Sequence, residues 1–119
     1  LALGEKVRNT QLSYLARLLA DYKYVVVMGD FNCRLNHLDH SPLAALGLQT
    51  VRADNLNTYP SWAPDRHIDH ILLSPELESR HTRVLSDCLL SDHLPLATEI
   101  IIPDEVIAAT REHRLPLID

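Results

Sequence analysis

The chain has 119 residues, of which 46% are hydrophobic and 5% aromatic, so it can form one modest domain with a mainly aliphatic core. Its formal net charge of −5 argues against a broad basic surface that grips nucleic acid non-specifically. A bound metal ion can supply local positive charge for phosphate chemistry, so a phosphate-processing site is still allowed.

No window resembles a signal peptide or a membrane span. Cys33 and Cys88 form no repeating framework, so free thiols in a reducing compartment are expected rather than a disulfide. The chain starts at Leu1 without an initiator Met, which indicates a fragment or a processed product. The location in the cell is therefore open, with the cytoplasm slightly favoured.

Apolar periodicity predicts a helix at the start of the chain. Leu12, Leu15, Leu18 and Leu19 recur at helical spacing, which predicts an amphipathic helix over residues 5–21. The polar residues between them are expected to form its wetter face.

A strand and a second, shorter helix are predicted next. The near-continuous Val run within residues 23–29 predicts a strand that is buried on both faces. Ser41 is suited to cap a helix and Pro42 to occupy its first position. The short helix over residues 43–46 then ends at Gly47.

The second half of the chain is predicted to be mostly extended. Residues 48–66 look irregular because Pro60 and Pro64 interrupt any long element. The other predicted elements are strands over 68–73, 80–88 (weaker) and 95–102, and a candidate short helix over 104–113 in a tail at 103–119. This order favours an α/β fold, half of a layered sandwich.

The segment Gly29-Asp30-Phe31-Asn32 follows the Val run directly. Strand alternation would direct Asp30 and Asn32 the same way, with Phe31 packing on the opposite side. A carboxylate and an amide at the carboxyl edge of a central strand suit a site that binds a metal ion and activates water. The alternative is a plain turn at the end of the strand, in which Gly, Asp and Asn are common.

Asp69 and His93 are expected to form a pair. Asp69 lies between Ile68 and Ile71, and a carboxylate in an apolar strand is costly unless it is paired. It can accept a hydrogen bond from a histidine ring and so set the tautomer. His93 follows Asp92 in the loop that enters the last strand. The alternatives are an edge position for Asp69, a structural His93, and an Asp92 that either binds metal or caps a turn.

The irregular segment offers three residues that could contact a substrate. Trp62, with Tyr59 near it, can stack on a base or a sugar, or can instead anchor the loop onto the core. Arg66 can contact a phosphate, although a solvated arginine is the ordinary case.

A zinc site is a weaker alternative, based on Cys33, His37 and His40. These residues lack a clear fourth ligand, and their spacing is not that of a common zinc module. Neither a glycine-rich phosphate loop nor a serine nucleophile elbow is present in the sequence.

Three ordered blocks resemble the endonuclease/exonuclease/phosphatase superfamily, which includes deoxyribonuclease I, exonuclease III and the inositol polyphosphate 5-phosphatases. The blocks are Gly29-Asp30-Phe31-Asn32, then Thr58-Tyr59-Pro60-Ser61-Trp62 leading into Arg66-His67-Ile68-Asp69-His70-Ile71, then Ser91-Asp92-His93-Leu94-Pro95-Leu96. Their order and spacing are similar to the carboxyl-terminal half of the family, over residues 1–102. Bacterial members with a Ser-Trp-x-Pro segment look most similar.

The resemblance implies a role for each matched residue. Asp30 would orient or deprotonate the attacking water, and Asn32 would position the scissile phosphate and assist the metal site. His93 would contact the phosphate, and Asp69 would orient His93. Asp92 would lie in or beside a divalent-metal site, so that the implied metal ligands are Asp30, Asn32 and Asp92. The implied substrate contacts are Asn32, Tyr59, Trp62, Arg66 and His93. Mg²⁺ or Mn²⁺ would neutralise charge during in-line attack on a phosphoester.

The resemblance also implies the fold and the partners. The family fold is a four-layer α/β/β/α sandwich, of which this chain would supply one mixed, mainly antiparallel sheet with flanking helices. The amino-terminal half of the family carries an asparagine and a glutamate that anchor the metal. We therefore expect a metal-dependent phosphoesterase half that is inactive alone and associates with itself or with the other half. His67 also stands where many members have arginine. The alternative is a non-catalytic interaction module on the same scaffold.

Overall fold

The computed structural model describes residues 1–112, which form an α/β fold of helices and two small antiparallel sheets. The helices are α1 (Glu5–Leu19), α2 (Leu35–Asp39), α3 (Pro42–Ala45) and α4 (Asp104–Glu112). The strands are β1 (Val26–Asp30), β2 (Gln49–Thr50), β3 (Asp69–Leu73), β4 (Glu78–Val84) and β5 (Leu96–Ile101). The end of the candidate tail helix at residue 113 lies outside the described residues, and the boundary between residues 1–102 and the tail stays a prediction.

Helix α1 confirms the first predicted element, although it ends two residues earlier than expected. Leu12 is buried, and Leu15 and Leu19 pack against the same core. Leu18 was expected in this apolar stripe, but it is 53% exposed. At 3.6 residues per turn, Leu18 lies roughly 120° around the helix from Leu12, so it projects away from the core.

Strand β3 is the centre of the first sheet, whose strand order is β1-β3-β2. Alternation along β3 directs its side chains to two separate apolar clusters. Leu72 lies in one cluster with Leu12 and Phe31. Ile71 and Leu73 lie in the other, on the opposite side of the strand. The chain therefore covers both faces of β3, which explains why this strand is almost entirely apolar after its first two residues.

Strand β1 is covered on one face only, which corrects the expectation that it is buried on both. Val27 packs against the cluster that contains Leu72, whereas Val26 is 41% and Met28 63% exposed. The helices lie over one side of β1, and nothing in the described chain covers the other. We refer to Val26 and Met28 as the open face of β1.

The second sheet is the pair β4-β5, so the expected single sheet is divided into two. A turn closed by the Leu77 amide and the Ser74 carbonyl separates β3 from β4. Leu77, Leu96 and Ile100 pack against the cluster around Ile71. Apolar contacts rather than a hydrogen-bonded ladder therefore join the two sheets.

The remaining predictions are mixed. Ser41 caps α3 by accepting from the Ala44 amide, with Pro42 at the helix start, as expected. Helix α2 was not predicted, because it has five residues and its N-cap makes no side-chain hydrogen bond. Cys33 and Cys88 are free thiols, as expected. Among the described residues, no helix combines the length and the apolar character that crossing a bilayer requires.

The two sides of the first sheet give a stability prediction. Leu72→Ala should lower the free energy of unfolding by about 2–5 kcal/mol, because it leaves a cavity in a closed cluster. Met28→Ala on the open face should change it by less than about 0.5 kcal/mol. Urea unfolding followed by circular dichroism measures both values. Equal losses for the two variants would show that the open face is covered in solution.

Candidate active site

The pairing of β1 with β3 brings two acids to the same edge of the first sheet. In the antiparallel register Asp30, the last residue of β1, stands opposite Asp69, the first residue of β3. Directly opposed residues of antiparallel strands have their Cβ atoms about 5 Å apart. Two carboxylates at this separation repel each other unless a cation or a proton donor lies between them.

His93 provides that donor. Its Nδ1 atom lies 2.7 Å from Oδ2 of Asp69, and its Nε2 atom lies 3.5 Å from Oδ2 of Asp30. The side chains of His93, Asp69 and Asp30 are 26%, 16% and 36% exposed, so the group is open to solvent on the Asp30 side. We refer to these three residues as the acid–histidine cluster. They border a cleft of about 500 Å³.

Asp69 is the best-paired member of the cluster. Its Oδ2 atom accepts hydrogen bonds from the Thr58 hydroxyl and from the His93 ring. The predicted hydrogen bond between Asp69 and a histidine is therefore present, while the catalytic role of the pair stays a prediction. Thr58, which is fully buried, was not singled out as a site residue. No local pattern marks it, because its partner is 11 residues further along the chain.

The ionisation of His93 reflects its position between acids. Burial opposes the charged ring, but the hydrogen bond to Asp69 and the negative charges of Asp69, Asp30 and Asp92 raise the pKa of His93 above its ordinary value. Because Asp69 accepts at Nδ1, the tautomer with Nδ1–H is favoured, and Nε2 faces Asp30. The His93 ring is thus oriented with Nε2 towards the cleft, in both its neutral and its protonated form.

The loop that carries His93 is held by the segment containing Thr58. The Leu94 amide donates to the Thr58 carbonyl over 2.8 Å, and the Ser61 amide donates to the Asp92 carbonyl over 2.7 Å. These two backbone hydrogen bonds on either side of His93 set its height above the sheet edge. The segment over residues 58–66, which looks irregular in the sequence, therefore positions the loop that carries His93.

Asn32 lies in a turn after β1 rather than in the strand itself. Strand β1 ends at Asp30, and Asn32 has a left-handed φ of 50°. The Asn32 amide donates to Oδ1 of Asp30 over 2.8 Å, while its side-chain Nδ2 donates to the Leu1 carbonyl. Phe31 is buried, as expected. The turn that the alternative predicted is therefore present and ties Asn32 to Asp30, while the role of Asn32 at a metal site stays a prediction.

The described residues contain one group of three His, Cys, Asp or Glu side chains that could hold a metal ion, and it is the acid–histidine cluster. One ligand atom from each residue lies within 4.8 Å of the others. Asp92 does not join this group, and its carboxylate instead accepts from the Ser91 hydroxyl. Its role at a metal site stays a prediction that the geometry does not support.

The loop residues predicted to contact substrate divide into two kinds. The Tyr59 ring packs against the His93 ring with centroids 4.8 Å apart, and the Arg66 guanidinium lies 5.5 Å from the Tyr59 ring. Trp62 is 74% exposed, so it does not anchor the loop onto the core. Tyr59 thus supports His93 directly, whereas Trp62 is free to contact another molecule.

The zinc alternative finds no matching geometry. Cys33, His37 and His40 do not form a metal-sized group in the described part of the chain. Cys33 is buried in the core, His37 faces Glu5, and the His40 ring bonds to the Asn36 carbonyl. The three side chains therefore have separate environments.

Residues 5–93 match the model of the Endonuclease/Exonuclease/phosphatase family, a span that ends at His93 and includes Asp30, Asn32 and Asp69. The chain belongs to this family. Members of the Endonuclease/Exonuclease/phosphatase family generally hydrolyse phosphoester bonds and use divalent metal ions. No curated protein and no solved structure matches the chain.

Two further histidines, His67 and His70, lie close to Asp69 in the chain, and the sequence predicted no catalytic role for either. His70 is buried, and its Nε2 atom donates to the Cys33 carbonyl over 2.8 Å. Its ring lies 4.5 Å from the His67 ring. Neither Nδ1 of His70 nor Nε2 of His67 has a hydrogen-bond partner. Burial and the neighbouring His70 lower the pKa of His67 to about 4, and burial also lowers the pKa of His70.

These shifts predict a loss of stability in mild acid. Between pH 6.5 and about 4 the unfolded chain protonates His67 while the folded chain does not, so stability falls as the pH falls through this window. His67→Gln should flatten the slope by up to about 1.4 kcal/mol per pH unit. Urea unfolding at several pH values in a chelator measures this, and an unchanged slope in His67→Gln would contradict it.

The Asp69–His93 pair gives a second prediction. Asp69→Asn keeps the size of the side chain but removes its charge, so the pKa of His93 should fall relative to the unaltered chain. NMR titration of the His93 ring in a chelator measures the change. Asp65→Asn, an exposed acid, is the matched control and should have no effect. An unchanged titration in Asp69→Asn would show that the two side chains are not coupled in solution.

Proposed function

We propose that this family member is a metal-dependent phosphoester hydrolase of the nuclease or phosphodiesterase type, which uses Mg²⁺ or Mn²⁺. The observation that carries the proposal is His93, held between the carboxylates of Asp69 and Asp30 at the end of the span that matches the family. A histidine between two acids, with one ring nitrogen directed at an open cleft, suits proton donation to a phosphate.

The donor set at the sheet edge fits a hard divalent cation. Asp30 presents a carboxylate that is open to solvent, and Asn32 uses its Nδ2 in a hydrogen bond, which leaves its amide oxygen as a ligand. Oxygen ligands of this kind are those that Mg²⁺ and Mn²⁺ prefer. When bound, the ion would neutralise charge on the phosphate and lower the pKa of water. Asp92 would contact the ion through a water molecule, if it takes part in binding the ion.

The protein groups would then divide the remaining work. Asp69 orients His93 through Nδ1, so that Nε2–H donates to an oxygen of the scissile phosphate and stabilises the charge that grows there. Asp30 orients the attacking water or accepts its proton. The hydrogen bond to Asp69 and the nearby carboxylates raise the pKa of His93 against the effect of burial, which favours the protonated ring.

The substrate would approach over the loop that carries Tyr59 and Trp62. Asn32 and His93 would contact the phosphate, and the exposed Trp62 ring offers a flat apolar face to a base or a sugar. Arg66, on the outer side of Tyr59, would contact a second phosphate. A phosphodiester with a planar or sugar group next to the scissile bond fits this arrangement.

The open face of β1 supports the proposal that this chain is the carboxyl-terminal half of a four-layer sandwich. Exposed Val26 and Met28 lie on the side of the sheet that an amino-terminal half would cover. The chain alone would then be inactive, or would associate with itself or with that half. A relation to deoxyribonuclease I, exonuclease III or bacterial members in particular belongs to the same proposal.

The same observation favours a second candidate, a non-catalytic interaction module that uses the scaffold for binding alone. Its open face would bind a partner while the acid–histidine cluster remained unused. The two candidates differ in whether His93 matters to any activity.

The test is phosphoesterase activity with Mg²⁺ or Mn²⁺ on a panel of nucleic acids and small phosphodiesters and phosphomonoesters, with this chain beside a version extended upstream. His93→Ala should reduce turnover by about 10²–10⁴-fold, because it removes the proton donor. His40→Ala, at an exposed position, should retain full activity. Activity only in the extended form and dependent on His93 is the expected result. Near-normal turnover of His93→Ala would rule out the mechanism, and no activity in either form would favour the interaction module.

A further inference from the structure

A buried arginine lies behind the turn that carries Asp30 and Asn32. Arg8, in the first turns of α1, is 6% exposed. None of the ion pairs within residues 1–112 includes it. Burying a cation without a carboxylate partner is costly, so its position calls for hydrogen bonds that compensate.

Those hydrogen bonds go to backbone carbonyls on two separate segments. Nη1 of Arg8 donates to Leu3 over 2.9 Å and to Asn32 over 3.1 Å, with a longer contact of 3.5 Å to Ala2. Gln11, one helical turn further along α1, accepts from the Ala2 amide over 2.8 Å. Helix α1 therefore holds the segment over residues 2–3 through Gln11 and Arg8. It contacts the turn that follows β1 through the Arg8 hydrogen bond and through Leu12, which lies in the same apolar cluster as Phe31.

The bond to Asn32 lies at the conformationally demanding position of the site. Asn32 has a φ of 50°, a left-handed conformation that is uncommon for a residue other than glycine. The same residue closes the turn by donating its amide to Oδ1 of Asp30. The hydrogen bond from Arg8 to the Asn32 carbonyl restrains the peptide unit that follows Asn32. Arg8 and Asp30 thus hold Asn32 from both ends.

We propose that Arg8 is a positioning residue, which holds the turn over residues 30–32 so that Asp30 and Asn32 keep their places beside His93. Its importance for catalysis rests on the function proposed above, whereas its effect on the turn does not. The hydrogen bonds of Arg8 all come from Nη1 at the end of the planar guanidinium, while its buried Nε has no hydrogen-bond partner among the described residues. A lysine ammonium is a point charge on a flexible stem and can replace this arrangement only in part.

The first test needs no substitution. In the unaltered chain, NMR should detect a scalar coupling across the hydrogen bond between Arg8 Nη1 and the Asn32 carbonyl carbon. Slow exchange of the Arg8 guanidinium protons should accompany it. Absence of the coupling together with fast exchange would overturn the proposal, whatever the activity of the protein.

Substitutions then test what the contact does. Arg8→Met keeps much of the apolar stem and removes every donor, and Arg8→Lys keeps the charge. Arg17→Met, at an exposed arginine of the same helix, is the matched control. Arg8→Met should shift the amide signals of Phe31, Asn32 and Cys33. It should also weaken binding of Mn²⁺, followed by paramagnetic broadening of the His93 ring, by about 10–100-fold. Arg8→Lys should recover part of both effects, and Arg17→Met should show neither.

The outcomes separate this proposal from the proposed function. A folded Arg8→Met with unchanged turn signals and unchanged Mn²⁺ affinity would overturn the role of Arg8. If Arg8→Met does not fold, the test rests on the turn signals and Mn²⁺ affinity of Arg8→Lys and on the scalar coupling in the unaltered chain. If the unaltered chain binds no Mn²⁺ and hydrolyses nothing, the proposed function fails, and the turn signals still test whether Arg8 holds the turn.

Discussion

The antiparallel pairing of β1 with β3 is the constraint on which the rest of the structure depends. It places Asp30 opposite Asp69 at one edge of the sheet. The same register directs Leu72 into one apolar cluster while Ile71 and Leu73 enter the other. A shift of one residue would reverse every side chain of the strand, so the core and the acid pair are specified together. The position of the site is thus coupled to the stability of the sheet.

The electrostatics of the site follow from that pairing. Two opposed carboxylates create a place where a cation is favoured, and His93 occupies it through a short bond to Asp69. Burial lowers the pKa of His70 on β3 and of His67, which precedes the strand and packs against the His70 ring. Neighbouring histidines therefore have pKa values moved in opposite directions. The cause is that burial dominates at His67 and His70, whereas the carboxylates around His93 outweigh its burial.

Trp62 and the open face of β1 are both exposed apolar surface, and they differ in character. Trp62 is a single exposed ring on a loop that backbone bonds tie to the His93 segment. The open face of β1 is a strip of apolar side chains on a sheet. A single exposed ring on a loop suits contact with a small group, whereas an apolar sheet face suits packing against another layer. Membership in the Endonuclease/Exonuclease/phosphatase family is consistent with both.

Much of the local structure could be predicted from the sequence, because it depends on near neighbours. Apolar periodicity located α1, and Ser41 with Pro42 marked the start of α3. The cost of burying Asp69 predicted a histidine partner. Helix α2 was missed because it lacks a capping side chain, and the single expected sheet is two because β4 pairs with β5 alone.

By itself, the sequence determined α1, the start of α3, most of the strands and the family to which the chain belongs, but not α2 or β2. Only the tertiary structure decided that β1 is open on one face and that Asn32 adopts a left-handed conformation in the turn after β1. It also decided that Thr58 supports Asp69 and that Arg8 lies behind the turn. The physical reason is that these features depend on contacts between distant segments. Helical and strand periodicity report only which side of its own element a residue occupies, not what lies across from it.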